Sequence, residues 1–315
     1  MNRFNILESK IDDIVSNYFF LSNKPYLFGY DNYDYDVSNF YKLSTIVEKT
    51  NREEKVVVVD IEIDGVADLF LSISNYNNPS CVYTTRELHV NKKIRVIIPM
   101  PITPIYIAIN TYIYKNAKLN PYSIPKNKIK IYFLNGVKKI DTLQPSGFDD
   151  YYKLISKFGQ LKEVLPLGEY SSNQGKFKIK YIDYVLREDG VTISYSPAAI
   201  YKSSGIIEIG KKRVLMLTLY EFIAVMLHEY SHVYVNELYG YKKEDEIQAD
   251  LNALKLMFSL GFRGFDFITA FLKVFDMANN ERNENRYLTF KKVATNIDEK
   301  LRKHYEKRIE KELKI

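Results

Sequence analysis

Two histidines and a glutamate stand close together in the segment His228-Glu229-Tyr230-Ser231-His232. Imidazoles four residues apart lie on one face of a helix, one turn apart, so they can bind a single zinc ion together. A glutamate next to the first histidine would lie beside that ion, where its carboxylate can accept a proton from water. The chain has 4 histidines, and half of them fall in this segment. Without a metal, burying these groups would cost roughly 1–3 kcal/mol for each unsatisfied group.

An acidic pair, Glu246 and Asp250, follows downstream. The two residues are four apart, so they share one face of a second predicted helix. The apolar face of that helix contains Ile247, Leu251, Leu254, Met257 and Leu260. A short connection through Gly240 allows the two helices to pack as neighbours, so Glu246 could supply a third zinc ligand. Asp250 could then accept a hydrogen bond from the outer nitrogen of a ligand histidine.

The helix that carries the first motif has its own start and stop signals. Thr218 and Glu221 form a capping box, and Gly240 provides the C-terminal stop. Apolar residues between them leave almost no exposed face, as in Phe222, Ile223, Val225, Met226, Leu227, Val233, Val235 and Leu238. The stretch is long enough to span a bilayer, but its ionisable residues disfavour that interpretation. The sequence therefore predicts a central, buried helix.

Together, His228-Glu229-x-x-His232 and Glu246-x-x-Ala249-Asp250 resemble the gluzincin branch of the zinc metallopeptidases. The resemblance covers residues 190–262. It implies a zincin-like fold and a zinc metalloendopeptidase that hydrolyses protein or peptide substrates with a zinc-activated water. The roles that it implies are zinc ligand for His228, His232 and Glu246, general base for Glu229, and support of a ligand histidine for Asp250.

The metzincin branch does not fit, because its pattern requires Gly and His where this chain has Val235 and Leu238. In the zincin-like fold, an extended substrate adds to the edge strand of a sheet through backbone hydrogen bonds. Segments 195–199 and 205–210 precede the motif helix as the edge-strand segments of zincins do. The predicted substrate edge strand consists of Ile206, Ile207, Glu208 and Ile209.

Around the motif, the sequence predicts an α+β protein in four consecutive parts. These are an N-terminal helix and loop (1–50, with the helix over 5–22), a β-rich domain (51–145), the zincin-like metallopeptidase domain (146–262) and C-terminal helices (263–315). Strands rich in Val and Ile at regular spacing favour a β-sandwich for the second part. Two of its strands, 55–63 and 67–74, are predicted to be joined by a turn at Asp64-Gly65.

Composition and charge narrow the partners and the compartment. A hydrophobic fraction of 46% with 27% charged residues is typical of a globular protein. The net charge of +6 comes with interleaved acidic residues in the basic C-terminal tail, so we predict no nucleic-acid partner. The first ten residues lack the apolar region of a signal peptide. We expect a cytoplasmic or virion-associated protein without a transmembrane segment or a membrane partner.

Two alternatives to an active peptidase stay open. The chain could be a structural or docking protein, for example in a phage particle, that retains a zinc-binding zincin fold with little or no proteolysis. The β-rich domain or the C-terminal helix would then contact a protein partner. Alternatively, residues 1–140 could be an inhibitory prosegment, and their removal would raise activity.

Overall fold

The computed structural model describes residues 8–10, 40–114, 128–142, 144–187, 190–201, 204–239, 246–276 and 281–315. These residues fall into two compact units. Unit 1 comprises the described residues of Met1–Pro25, Asp141–Met257 and Gly264–Ala294. Unit 2 comprises those of Tyr26–Ile140, Phe258–Arg263 and Thr295–Ile315. Contacts therefore group the chain differently from the four consecutive parts predicted from the sequence.

The described residues form ten strands, in two five-stranded sheets, and six helices, which confirms the predicted α+β class. The strands are β1 (Glu8–Lys10), β2 (Phe40–Lys49), β3 (Lys55–Asn75), β4 (Asn78–Met100), β5 (Tyr106–Tyr114), β6 (Ile129–Asn135), β7 (Gly168–Ser171), β8 (Lys178–Ile182), β9 (Ala198–Tyr201) and β10 (Ile206–Gly210). The helices are α1 (Phe148–Leu161), α2 (Lys211–Val214), α3 (Leu219–Tyr239), α4 (Glu246–Leu260), α5 (Gly264–Asp276) and α6 (Glu281–Leu313). None of the helices in the described ranges is both long and apolar enough to cross a membrane.

Unit 2 is built on one antiparallel sheet, in which β3 and β4 are 21 and 23 residues long. The strand order is β2-β5-β3-β4, and β6 pairs with β3 next to its start. Val56, Val57, Val58 and Val59 are all 0% exposed, so both faces of β3 are covered there. Val-rich strands suit such a position, because branched side chains pack well on a buried pleated surface.

The predicted turn at Asp64-Gly65 is wrong, and with it the predicted pair of short strands. Both segments belong to the single strand β3, which pairs with β4 along its length. Gly65, at φ 112°, lies in a bulge where the register shifts between Glu62 and Val66. A glycine at positive φ fits a bulge as well as a turn, so the sequence signal was ambiguous. The described strands of unit 2 thus form one sheet rather than the two sheets of a sandwich.

The N-terminal prediction fails where the structure describes the chain. Of the predicted helix over 5–22, Glu8–Lys10 form the strand β1, which pairs in parallel with β7. The other positions of that helix lie outside the described residues. Phe40–Lys49, which the sequence placed in a loop, is the strand β2 and pairs with β5. Strand partners far away in sequence decide both segments, and no local pattern reports them.

The sheet of unit 1 has the strand order β1-β7-β8-β10-β9. Strand β10 pairs in parallel with β8 and in antiparallel with β9, so it is an interior strand. The prediction that Ile206, Ile207, Glu208 and Ile209 form the edge strand is therefore wrong. The run of buried residues from Ile207 to Gly210 reflects this interior position, since both faces are covered. In the described sheet, the edge beside β10 is β9.

The helix α3 is the centre of unit 1, as the sequence predicted. Every residue from Leu219 to Ser231 is buried. The capping box is also confirmed: the Thr218 N–H donates to Glu221 Oε2 at 2.8 Å, and the Glu221 N–H donates to Thr218 Oγ1 at 3.3 Å. The predicted stop at Gly240 lies outside the described residues. Helix α4 begins at Glu246 and ends before Gly261, as expected.

Candidate metal centre

Helix α3 is held firmly by its neighbours. The Tyr151 hydroxyl of α1 donates a hydrogen bond to the Met226 carbonyl at 2.5 Å. The two helices approach closely at Gly159, where an added Cβ would lie 2.7 Å from both Leu219 Cδ1 and Phe222 Cδ1. Helix α5 packs on α3 as well, and the Phe271 ring lies edge-on to the His228 imidazole at 5.3 Å. These contacts fix the part of α3 that carries the first motif.

The donor atoms of His228, His232 and Glu246 converge. The two Nε2 atoms are 3.1 Å apart. Glu246 Oε2 lies 3.5 Å from the Nε2 of His228, and Glu246 Oε1 lies 3.8 Å from the Nε2 of His232. Ligands bound about 2.0–2.2 Å from one tetrahedral ion lie roughly 3.3–3.6 Å apart, so the donor set fits a single metal ion. At their separation, the two Nε2 atoms cannot both carry hydrogens, so at least one of them presents a lone pair.

A buried ion-pair network supports this cluster from behind. Asp250 Oδ1 lies 2.9 Å from Nδ1 of His228, although the ring N–H is not well aligned with it. Arg286 of α6 contacts the same aspartate through Nε (2.8 Å) and Nη2 (2.9 Å). Its Nη2 also lies 3.0 Å from Glu246 Oε2. Asp250 is 1% and Arg286 is 9% exposed, so both charges depend on these partners.

Glu229 lies beside the donor set and is 8% exposed. Its Oε2 accepts a hydrogen bond from the Ile200 N–H of β9 at 3.2 Å. This contact ties the carboxylate to the edge strand. Burial raises the pKa of Glu229 to about 7, although His228 and the Ile200 N–H act in the opposite direction. A carboxylate with a pKa near neutrality can both accept and release a proton at physiological pH.

The pKa values of His228 and Glu246 shift in opposite directions. Burial lowers the pKa of His228, but the adjacent carboxylates of Asp250 and Glu246 outweigh it and raise the pKa to about 9. Burial raises the pKa of Glu246, but the two histidines and Arg286 outweigh it and lower the pKa to about 2. In the absence of metal, His228 is therefore protonated and Glu246 is charged at neutral pH.

The structure brings together all five residues that the motifs singled out: His228, Glu229, His232, Glu246 and Asp250. The predicted edge strand was 206–209. The strand that contacts Glu229 is β9 instead, through the Ile200 N–H. Sequence reasoning missed Arg286, which lies in a charged helix whose cations looked like a solvated face. The sequence gives only a weak indication that Arg286 faces inward. It lies three residues after Asn283 and four before Phe290, so on a helix it shares a face with an apolar residue.

No protein-family model, no curated protein and no solved structure matches this chain. Two imidazole nitrogens and a carboxylate oxygen form a ligand set that suits zinc and leaves a fourth position open. With a second buried carboxylate beside them, the arrangement can hold a divalent ion and move a proton next to it.

Proposed function

We propose that this protein is a zinc-dependent metallopeptidase of the gluzincin type, with a zincin-like fold in unit 1. The observation that carries the proposal is the convergence of three donor side chains from α3 and α4 with a buried carboxylate beside them. A structural zinc site would use four protein ligands, whereas three ligands leave room for water or substrate. The proposed reaction is hydrolysis of a peptide bond in a protein or peptide substrate.

His228, His232 and Glu246 would hold the ion, and Asp250 would support His228 through its outer nitrogen. A zinc ion bound there would supply Lewis acidity, which would polarise a peptide carbonyl and make water acidic enough to lose a proton near neutral pH. The packing of Phe271 against His228 and of α1 against α3 keeps the ligands in place without contacting the reacting atoms.

Glu229 would act as the general base. Its carboxylate takes a proton from the attacking water and then passes that proton to the nitrogen of the leaving amine. Its raised pKa, about 7, favours this exchange near neutrality. The hydrogen bond from Ile200 holds the carboxylate in a defined orientation, which a proton carrier requires.

The edge strand β9 is the proposed platform for substrate. An extended chain can add to such an edge by backbone hydrogen bonds, and the tie from Ile200 to Glu229 brings this edge next to the general base. Tyr201, the last residue of β9, is 49% exposed. Its ring offers apolar surface to a substrate side chain.

The test compares Glu229→Gln with the wild-type protein. We expect zinc stoichiometry near one in both, while hydrolysis of a labelled unfolded protein falls by about 10²–10⁴-fold in the variant. His228→Ala should lose zinc and activity together, and Glu310→Gln, at an exposed position of α6, should change neither. Full activity in Glu229→Gln would exclude the proposed mechanism.

The rival proposal is a docking protein that retains the zinc-binding site. It draws on the long paired strands β3 and β4 and on exposed apolar residues of unit 2 that could contact a partner: Val47 in β2, Val66 in β3 and Tyr76 between β3 and β4. The two proposals differ in one measurement. A zinc-loaded wild-type protein that cleaves neither added proteins nor itself, at any enzyme concentration, would favour the docking role.

A further inference from the structure

Arg286 is a feature of the site that its metal-ligand motifs do not require. Its guanidinium makes three short contacts to two carboxylates: one to Glu246 Oε2 (3.0 Å) and two to Asp250 (2.8 and 2.9 Å). The guanidinium carbon also lies 4.9 Å from the centre of the Phe275 ring. A cation that is buried, stacked and bound to both carboxylates of α4 has a defined position rather than a solvated one.

We propose that Arg286 is a positioning residue that makes Glu246 a monodentate metal ligand and couples it rigidly to Asp250. The inference rests on the metal site of the proposed function. Oε2 of Glu246 lies 3.0 Å from the guanidinium and 3.5 Å from the Nε2 of His228, and Oε1 lies 3.8 Å from the Nε2 of His232. Both oxygens face the imidazoles, but Oε2 is held by the guanidinium, so Oε1 is the oxygen assigned to the metal. A carboxylate without such a partner can chelate an ion with both oxygens, which would fill the position needed by water or substrate.

The charges of the site support the same role. Three carboxylates, those of Glu229, Glu246 and Asp250, lie within this largely buried cluster. When all three are ionised and both histidines are neutral ligands, their formal charge of −3 is reduced to −2 by Arg286, and a divalent cation brings the sum to zero. Because uncompensated buried charge is costly, Arg286 makes a single divalent ion the complement of the site.

An arginine suits this role better than a lysine. The planar guanidinium presents donors in a fixed fork, so Nε and Nη2 can hold Asp250 while Nη2 also reaches Glu246. An ammonium group carries the same charge but cannot bridge two carboxylates at fixed geometry. Arg286→Lys therefore separates positioning from charge. Arg282→Lys is the matched control, because Arg282 lies one turn earlier on the same helix and is exposed.

The experiment uses the full-length protein loaded with Zn²⁺ or Co²⁺. In the wild type, we expect the intense visible absorption of four-coordinate Co²⁺, since Glu246 would contribute one oxygen. In Arg286→Lys, we expect weaker bands of higher coordination and a Zn²⁺ dissociation constant raised by about 10–100-fold, measured against a competing chelator. Arg282→Lys should match the wild type in both measurements.

The outcomes separate the two proposals. If the wild type binds neither ion, the proposed function fails and this inference fails with it. If the wild type binds zinc but Arg286→Lys has the same affinity and the same Co²⁺ spectrum, only the positioning role is overturned. The wild-type spectrum needs no variant, so weak, high-coordinate Co²⁺ bands would overturn monodentate binding even if Arg286→Lys does not fold.

Discussion

Units 1 and 2 place their charged side chains differently. Unit 1 buries His228, Glu229, Asp250 and Arg286 in one cluster. Unit 2 has a core of Val and Ile residues in which Arg86 is also buried, but one of its bidentate ion pairs, Asp60 with Arg95 at 2.6 Å, is partly exposed, at 12% and 29% for the two side chains. Buried charges are stable only with their partners, whereas partly exposed ones can be hydrated instead.

The difference indicates that the stability of unit 1 depends on its buried charged cluster, whereas that of unit 2 depends mainly on its apolar core. Removing one charge from the cluster of unit 1 leaves another charge buried, and a metal ion would act on that balance. Nothing comparable is expected in the valine-rich part of β3, where burial of apolar surface is the main stabilising contribution.

The largest expected difference is between Asp250→Ala and Asp60→Ala. The first variant removes two of the three short carboxylate contacts that the structure describes for the buried Arg286 and leaves the one to Glu246, so we expect a loss of about 3–5 kcal/mol in the free energy of unfolding of unit 1. The second leaves Arg95 able to reach water, so unit 2 should lose about 1 kcal/mol or less. Hydrogen exchange of the α3 and β3 amides measures each unit separately. Equal losses would refute the contrast.

Zinc removal should affect one unit only. A ligand present at 100 to 1,000 times its dissociation constant stabilises the folded state by about 2.7–4.1 kcal/mol. We therefore expect EDTA to reduce the exchange protection of α3 and α4 by that amount and to leave β3 and β4 unchanged. His228→Ala, which lacks a ligand, should not respond to EDTA. A loss of protection in β3 would mean that the two units unfold together.

The same contrast explains how much the sequence could predict. The spacing of His228, His232, Glu246 and Asp250 is local, because helix geometry converts intervals of four residues into shared faces. The capping box at Thr218 is local as well, and its reciprocal hydrogen bonds form as expected. Local periodicity therefore predicted the site helices and five of the site residues.

What the sequence did not predict depends on contacts between distant segments. Arg286 meets Asp250 across 36 positions, and the many cations of α6 give it no distinctive spacing. The edge strand β9 is four residues long, and its pairing with β10 decides which of the two is the edge. Similarly, Gly65 reads as a turn until its partner strand β4 is known to continue past it. Tertiary pairing overrides local propensity in each case.

The stability of the metal-free protein and its affinity for zinc should depend on pH with opposite signs. In the metal-free state, the pKa of His228 is raised to about 9, so its stabilising contribution is complete below pH 6.5 and is lost as pH rises through about 9. Zinc requires an unprotonated imidazole, so zinc affinity should rise over the same range. At pH 7, binding should release about one proton from His228, together with part of one from Glu229, whose pKa is about 7.

Titration calorimetry in buffers of different ionisation enthalpy measures this proton release. His89→Asn is the control, because His89 is exposed and pairs with Asp68 within unit 2. Its proton release should equal that of the wild type. Zinc binding without proton release at pH 7 would show that His228 is neutral in the metal-free protein.

The smallest expected effect lies in unit 2, at Gly65. Its φ of 112° is a conformation that L side chains rarely adopt, so Gly65→Ala should destabilise unit 2 by about 1 kcal/mol or somewhat more. The neighbouring Asp64→Ala removes only an exposed ion pair with Lys128 and should have a much smaller effect. Comparing the two variants by hydrogen exchange separates backbone strain from side-chain loss. Because Gly65 lies in unit 2 and the donor set in unit 1, Gly65→Ala should leave the zinc affinity unchanged. A changed zinc affinity would show that the bulge and the metal centre are coupled.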